Sequence, residues 1–96
     1  MRTIKLMADY HCYPLWEASP GEVGNIDPYT LPISATLQSH LLAWAAKFDA
    51  TLNMDDPLSS GFQSRTEAED FKSAGMALVE QLRMELGSEY KVVYKM

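Results

Sequence analysis

Cysteine is almost missing from this chain: Cys12 stands alone. A single thiol closes no internal disulfide, so packing has to hold the fold, and the usage fits a reducing compartment. Long apolar runs are missing as well, none approaching the roughly 20 residues of a membrane span. The opening MRTIKLMADYHCY has too short an apolar core for a signal peptide. A disulfide scaffold and a membrane-spanning chain are thereby excluded, and the expectation is a cytoplasmic protein with no membrane partner.

Bases are scarce over most of the chain. From residue 6 to residue 64 the one base is Lys47, against Asp9, Glu17, Glu22, Asp27, Asp49, Asp55 and Asp56. The remainder carries seven bases and six acids, so the net charge of −5 resides in the first two thirds. Nucleic acid is a poor partner for such a surface, because binding it takes bases that neutralise phosphates. A basic protein suits it better.

Chemical signatures are equally sparse. SSGF and SPGEVG match no phosphate-cradling glycine loop. NMDD, at 53–56, has the oxygen donors of a calcium loop but no glycine at the sixth position, and Ser64 where the twelfth would need glutamate. Asp9, His11 and Cys12 contain the groups of an activated thiol, yet neighbours on extended chain point to opposite faces, so His11 is badly placed to deprotonate Cys12. His40 has no histidine three or four residues away with which to hold a metal, and sits just off a helical stripe. No catalytic residue, metal or cofactor is expected.

What is present is enough for one domain, residues 1–96: the apolar fraction is 47%, with no long polar or repetitive run. Residues 2–8 alternate Ile4, Leu6 and Ala8 with Thr3, Lys5 and Met7, the period of a half-buried strand. Residues 9–33 are broken by Pro14, Pro20, Gly21, Gly24, Pro28 and Pro32 into a long loop, with a short extended piece at 13–17 able to return beside that strand. Leu37, Leu41, Trp44, Ala45 and Phe48 then form one stripe of a helix capped by Ser34. After a turn-rich segment at 51–62, Ala68, Phe71, Gly75, Leu78, Leu82 and Leu86 mark a second helix. Thr66 and Glu69 have the spacing of its capping box, and Gly87 is its stop. EYKVVYKM closes as a strand, with Tyr90, Val92 and Tyr94 on one face and Lys91, Val93 and Lys95 on the other. These elements predict a two-layer α+β domain. Two antiparallel helices cover one face of a small sheet built from the terminal strands, which the helical return would leave antiparallel.

One stretch asks for more than connection. WEASPGEVGNIDP, residues 16–28, holds two prolines, two glycines, three carboxylates and no base, and no helical stripe accounts for Trp16. Read by charge, this segment and the DD turn form a partner-binding surface. Trp16 reads equally as a core plug that pins the loop or as the anchor of that surface, and as anchor it has Glu17, Glu22, Asp27, Asp55 and Asp56 as its rim charges.

LMADYHCYPLW, followed by VGNIDP, LPIS and DATLNMDDPLSSGF, resembles a family of small bacterial proteins, the immunity proteins of contact-dependent growth inhibition and related polymorphic-toxin systems. The resemblance runs from about residue 4 to residue 62 and on into the second helix. It implies a non-enzymatic cytoplasmic protein that binds and blocks a toxin domain delivered by a neighbouring cell, and toxins of this class are commonly basic nucleases. It supplies no toxin-binding residues; those above rest on charge. The alternative is a structural or regulatory interaction module with no toxin partner, pairing with itself through the edge of the terminal strand.

Overall fold

A computed structural model of the chain describes residues 2–52, 61, 62 and 64–95. Four strands, β1 (Arg2–Leu6), β2 (Leu15–Glu17), β3 (Asn25–Ile26) and β4 (Tyr90–Tyr94), form one sheet in the order β3-β2-β1-β4. Two helices, α1 (Ala35–Asp49) and α2 (Arg65–Leu86), complete a small α+β architecture in which the terminal strands lie side by side. A 3-10 turn at Pro28–Thr30 joins β3 to the approach of α1.

The core forms where the strand and helix periods meet. Ile4 and Leu6 of β1, Leu15 of β2, Ile26 of β3 and Val92 of β4 are buried with Leu37, Leu41 and Trp44 of α1 and Phe71, Leu78, Val79, Leu82 and Leu86 of α2. The Trp44 and Phe71 rings stack with centroids 4.3 Å apart, and the Trp44 indole N–H donates to the Phe71 carbonyl at 3.0 Å, pinning α1 to α2 without leaving a buried donor unpaired. At the other end of the pair, the Ser34 amide and hydroxyl donate to the two Glu85 carboxylate oxygens at 2.6 and 3.0 Å. The start of α1 thus meets the end of α2, and the helices run antiparallel as expected.

Two expectations are corrected. β4 pairs with β1 in parallel, Ile4 opposite Val92 and Leu6 opposite Tyr94. The cause lies in the path after β3. Residues 27–33 carry the chain back to the end of the sheet where β1 begins, so α1 sets off in the direction of β1. α2 opposes α1, and the turn at Gly87 reverses the chain once more. Second, α2 is capped by the Ser64 hydroxyl, which accepts from the Glu67 amide at 3.1 Å, and not by a Thr66/Glu69 box. Glu69 lies in the body of the helix and pairs with Arg65 one turn earlier at 3.0 Å.

Gly75 is fixed by packing, not by backbone conformation. A Cβ there would stand 2.6 Å from Tyr94 Cζ and 3.0 Å from Trp44 Cζ2, so glycine is what allows β4 and α1 to close on the middle of α2. Alanine would improve helix propensity by about 1 kcal/mol. The overpacking penalty is about 1–3 kcal/mol. We therefore expect Gly75→Ala to lower Tm by several degrees in a thermal melt, whereas a purely propensity-driven site would gain stability.

Candidate functional site

Residues 13–31 make the candidate site, and most of their order comes from short side chains bonding to backbone. β2 pairs with β1, Leu15 opposite Leu6 and Ile4 opposite Glu17, and β3 adds to β2 with Ile26 opposite Leu15. The turn between β2 and β3 is closed by the Glu22 amide donating to Ser19 O at 3.0 Å and the Glu17 amide donating to Gly24 O at 2.8 Å. Gly21 takes φ 78° there, a left-handed conformation that glycine adopts without steric cost. Ser19 ties the hairpin to the sheet, its hydroxyl accepting the Thr3 amide at 3.0 Å and donating to Glu17 at 3.0 Å.

From the start of β3, the Asn25 side chain reaches back along β2, accepting the Tyr13 amide at 2.8 Å and donating to the Tyr13 and Leu15 carbonyls at 2.7 and 2.9 Å. Asp27 caps the 3-10 turn by accepting the Tyr29 amide at 2.9 Å, with Pro28 buried behind it. The segment is therefore not a structureless connection. It is a hairpin followed by a capped turn, laid along the β3 side of the sheet.

This frame sorts the residues chosen from sequence. Glu22 is exposed in the hairpin turn, and Asp27 is half-buried past the opposite end of β3. Glu17 is spent on structure. Its carboxylate holds the Arg2 guanidinium at 2.9 Å, with 12% of its side chain exposed, and that contact pulls its pKa below the ordinary carboxylate range. Trp16 lies on the face of the sheet turned away from the helices, opposite Lys5, half-buried, its indole N–H donating to the Met7 carbonyl at 2.9 Å. Asp55 and Asp56, with the rest of the NMDD turn, lie outside the described residues.

The structure shows three exposed side chains on this segment that charge reasoning did not single out. Val23 is 96% exposed at the hairpin tip, Tyr29 is 62% exposed on the 3-10 turn and Tyr13 is 42% exposed beside it. A signal for Val23 was present in the sequence: it lies between Glu22 and Gly24, where no strand or helix could bury it. Tyr29 gave none, since an aromatic after Asp-Pro reads equally well as a core plug.

The Asp9, His11 and Cys12 group resolves into turn chemistry. The Asp9 carboxylate accepts the Tyr10 amide at 2.8 Å, and the His11 amide donates to Asp49 at 2.9 Å with His11 at φ 60°. Tyr10 stacks on Phe48, fastening this loop to the end of α1. Among the described residues no three His, Cys, Asp or Glu side chains gather where they could hold a metal, and no helix is long and apolar enough to cross a membrane.

A small α+β scaffold that displays a tied-down acidic segment with exposed tyrosines has the build of a protein-binding module. The model of the Serratia CdiI immunity protein-like family matches residues 2–96, and the chain belongs to that family of contact-dependent growth inhibition immunity proteins. No curated protein matches the chain. Membership implies a role in immunity toward a cognate toxin.

Two carboxylates tie acid stability to this frame. Glu17 is lowered chiefly by its bond to Arg2, and Glu85 chiefly by the Ser34 amide. Because both bind protons less readily folded than unfolded, their contribution is complete above the ordinary carboxylate range and is lost as pH falls through the lowered values. Tm measured from pH 7 to pH 3 is expected to fall more steeply for the natural chain than for a Glu17→Gln/Glu85→Gln variant. Parallel curves would show that neither contact is felt in folding.

Proposed function

We propose that this protein acts in the cytoplasm as one domain, binding its cognate toxin directly and masking a basic surface of it, of the kind a nuclease uses to hold nucleic acid. The contact is made by the β3 side of the sheet. Val23 and Tyr29 serve as apolar anchors with Tyr13 beside them, Glu22 and Asp27 supply rim charge, and Asp55 and Asp56 join them on charge alone. Trp16 and Glu17, the other residues singled out by sequence, act from behind by holding the hairpin to β1.

One observation carries this reading. Between Lys5 and Lys47 the chain has no lysine or arginine, and that same base-free stretch displays three large exposed apolar side chains, Tyr13, Val23 and Tyr29. Apolar groups inside a field of one sign suit a partner of opposite charge. Carboxylates steer the encounter, and buried aromatic area holds the complex once formed. Because the hairpin and the capped turn are bonded in place, little ordering is left for binding to impose.

The two kinds of residue should separate in kinetics. Glu22→Lys is expected to slow association with the toxin and to flatten its salt dependence, leaving dissociation nearly unchanged. Tyr29→Ala and Val23→Ala are expected to speed dissociation by about tenfold each, as the loss of an anchor does. Rates for variants that melt like the natural chain, measured at two salt concentrations, decide it. Unaltered rates in all three would move the interface off the β3 side.

A further inference from the structure

The face of the sheet turned away from the helices is chemically the reverse of the β3 side. Alternation along the strands places Thr3 and Lys5 of β1, Trp16 of β2 and Lys91 and Val93 of β4 on it, with Lys95 following in the same phase, while Ile4, Leu6, Leu15 and Val92 point to the core. No carboxylate stands among these strand positions. Thr3 is opposite Lys91, and Lys5 is flanked by Trp16 on one side and Val93 on the other.

Among the described residues the lysines are also without an ion pair. Arg2, Arg65 and Arg83 each pair with a glutamate. Lys5, Lys91 and Lys95 form no ion pair among the described residues, in a chain with thirteen acids to eight bases. Lysine on an edge strand is an ordinary guard against edge-to-edge pairing. That role fits Lys91 and Lys95 on β4. It does not fit Lys5, because β1 lies between β2 and β4 and has no free edge.

We propose that this open face is a second docking surface, and that its occupant is an acidic protein segment whose carboxylates meet Lys5, Lys91 and Lys95 while an apolar side chain packs on Trp16 and Val93. The complementarity is of charge around an apolar centre, the arrangement of an interface with a wet rim. Nucleic acid fits less well. The face has three lysines and no arginine, and the net charge of −5 repels a long polyanion that a short acidic segment would escape by contacting this face alone. The inference does not depend on the β3-side reading, since the two surfaces share no residue.

The probe is a short synthetic peptide of glutamates around a central phenylalanine, titrated into the 15N-labelled full chain. Saturable shifts are expected at the amides of Thr3, Lys5, Trp16, Lys91 and Val93 and at the Trp16 indole N–H. In a Lys5→Glu/Lys91→Glu variant with unchanged melting, affinity is expected to fall by about tenfold or more. An oligothymidylate of equal charge is expected to bind more weakly than the peptide. No saturable shift, shifts centred elsewhere, an unaffected double variant, or tighter binding by the oligothymidylate would each overturn the proposal. Concentration-dependent mass in the absence of peptide, with the same amides shifting, would overturn it in favour of a second copy of the chain.

Discussion

The structure depends above all on the register of β2 against β1. With Leu15 opposite Leu6, a segment dominated by proline, glycine and polar residues acquires a buried side chain, and Ile26, opposite Leu15, supplies another. A slip of one residue would turn Trp16 into the core and Leu15 out to solvent, because side chains alternate with period two. Everything later in the chain inherits this alignment. It sets where β3 ends, where the capped turn at Pro28–Thr30 lies against α1, and so from which end of the sheet α1 departs.

The same register divides the carboxylates into two populations. Glu17 is bound to Arg2 and Ser19, Asp49 to the His11 amide and Glu85 to Ser34. They hold segments of chain in place. Asp27 stands between the populations, one oxygen engaged with the Tyr29 amide at a half-buried position. Glu22 is exposed and has no side-chain bond among the described residues, leaving its charge to act outward. An acidic sequence thus becomes a shaped acidic surface, with charge left free where the backbone is already fixed. The opposite edge is guarded: the Arg83 guanidinium donates to the outward Val92 carbonyl of β4 at 2.9 Å, and this contact blunts the longer free edge of the sheet.

Much of the fold was legible because its periodic parts have one buried face each. The stripes from Leu37 to Phe48 and from Phe71 to Leu86, and the alternation in both terminal strands, mark surfaces that the structure does bury or pack on the core. β3 was not legible. Two residues with one buried side chain carry no period, and their pairing is fixed by Asn25 reaching back to Tyr13 and Leu15. The direction of β4 was hidden for the same reason, since it follows from the return path through residues 27–33. At the candidate site, charge alone singled out Glu17, Glu22 and Asp27 alike, and could not show that Glu17 has a neighbour, Arg2, that the other two lack. Trp16, which no helical stripe explained, lies on an open sheet face rather than in a loop.

The central claim is that the acidic β3 side is built before any partner arrives. Amide hydrogen exchange in the isolated chain tests it most directly. The amides of Glu17 and Ala18, bonded to Gly24 O and Thr3 O at 2.8 and 2.9 Å, and those of Thr30 and Leu31, bonded to Asp27 O and Pro28 O at 2.9 and 3.2 Å, are expected to exchange far more slowly than unstructured peptide. Val23 at the exposed tip is expected to exchange fast. Exchange at the rate of unstructured chain for all of residues 15–31 would contradict the account, and would make this surface a product of binding.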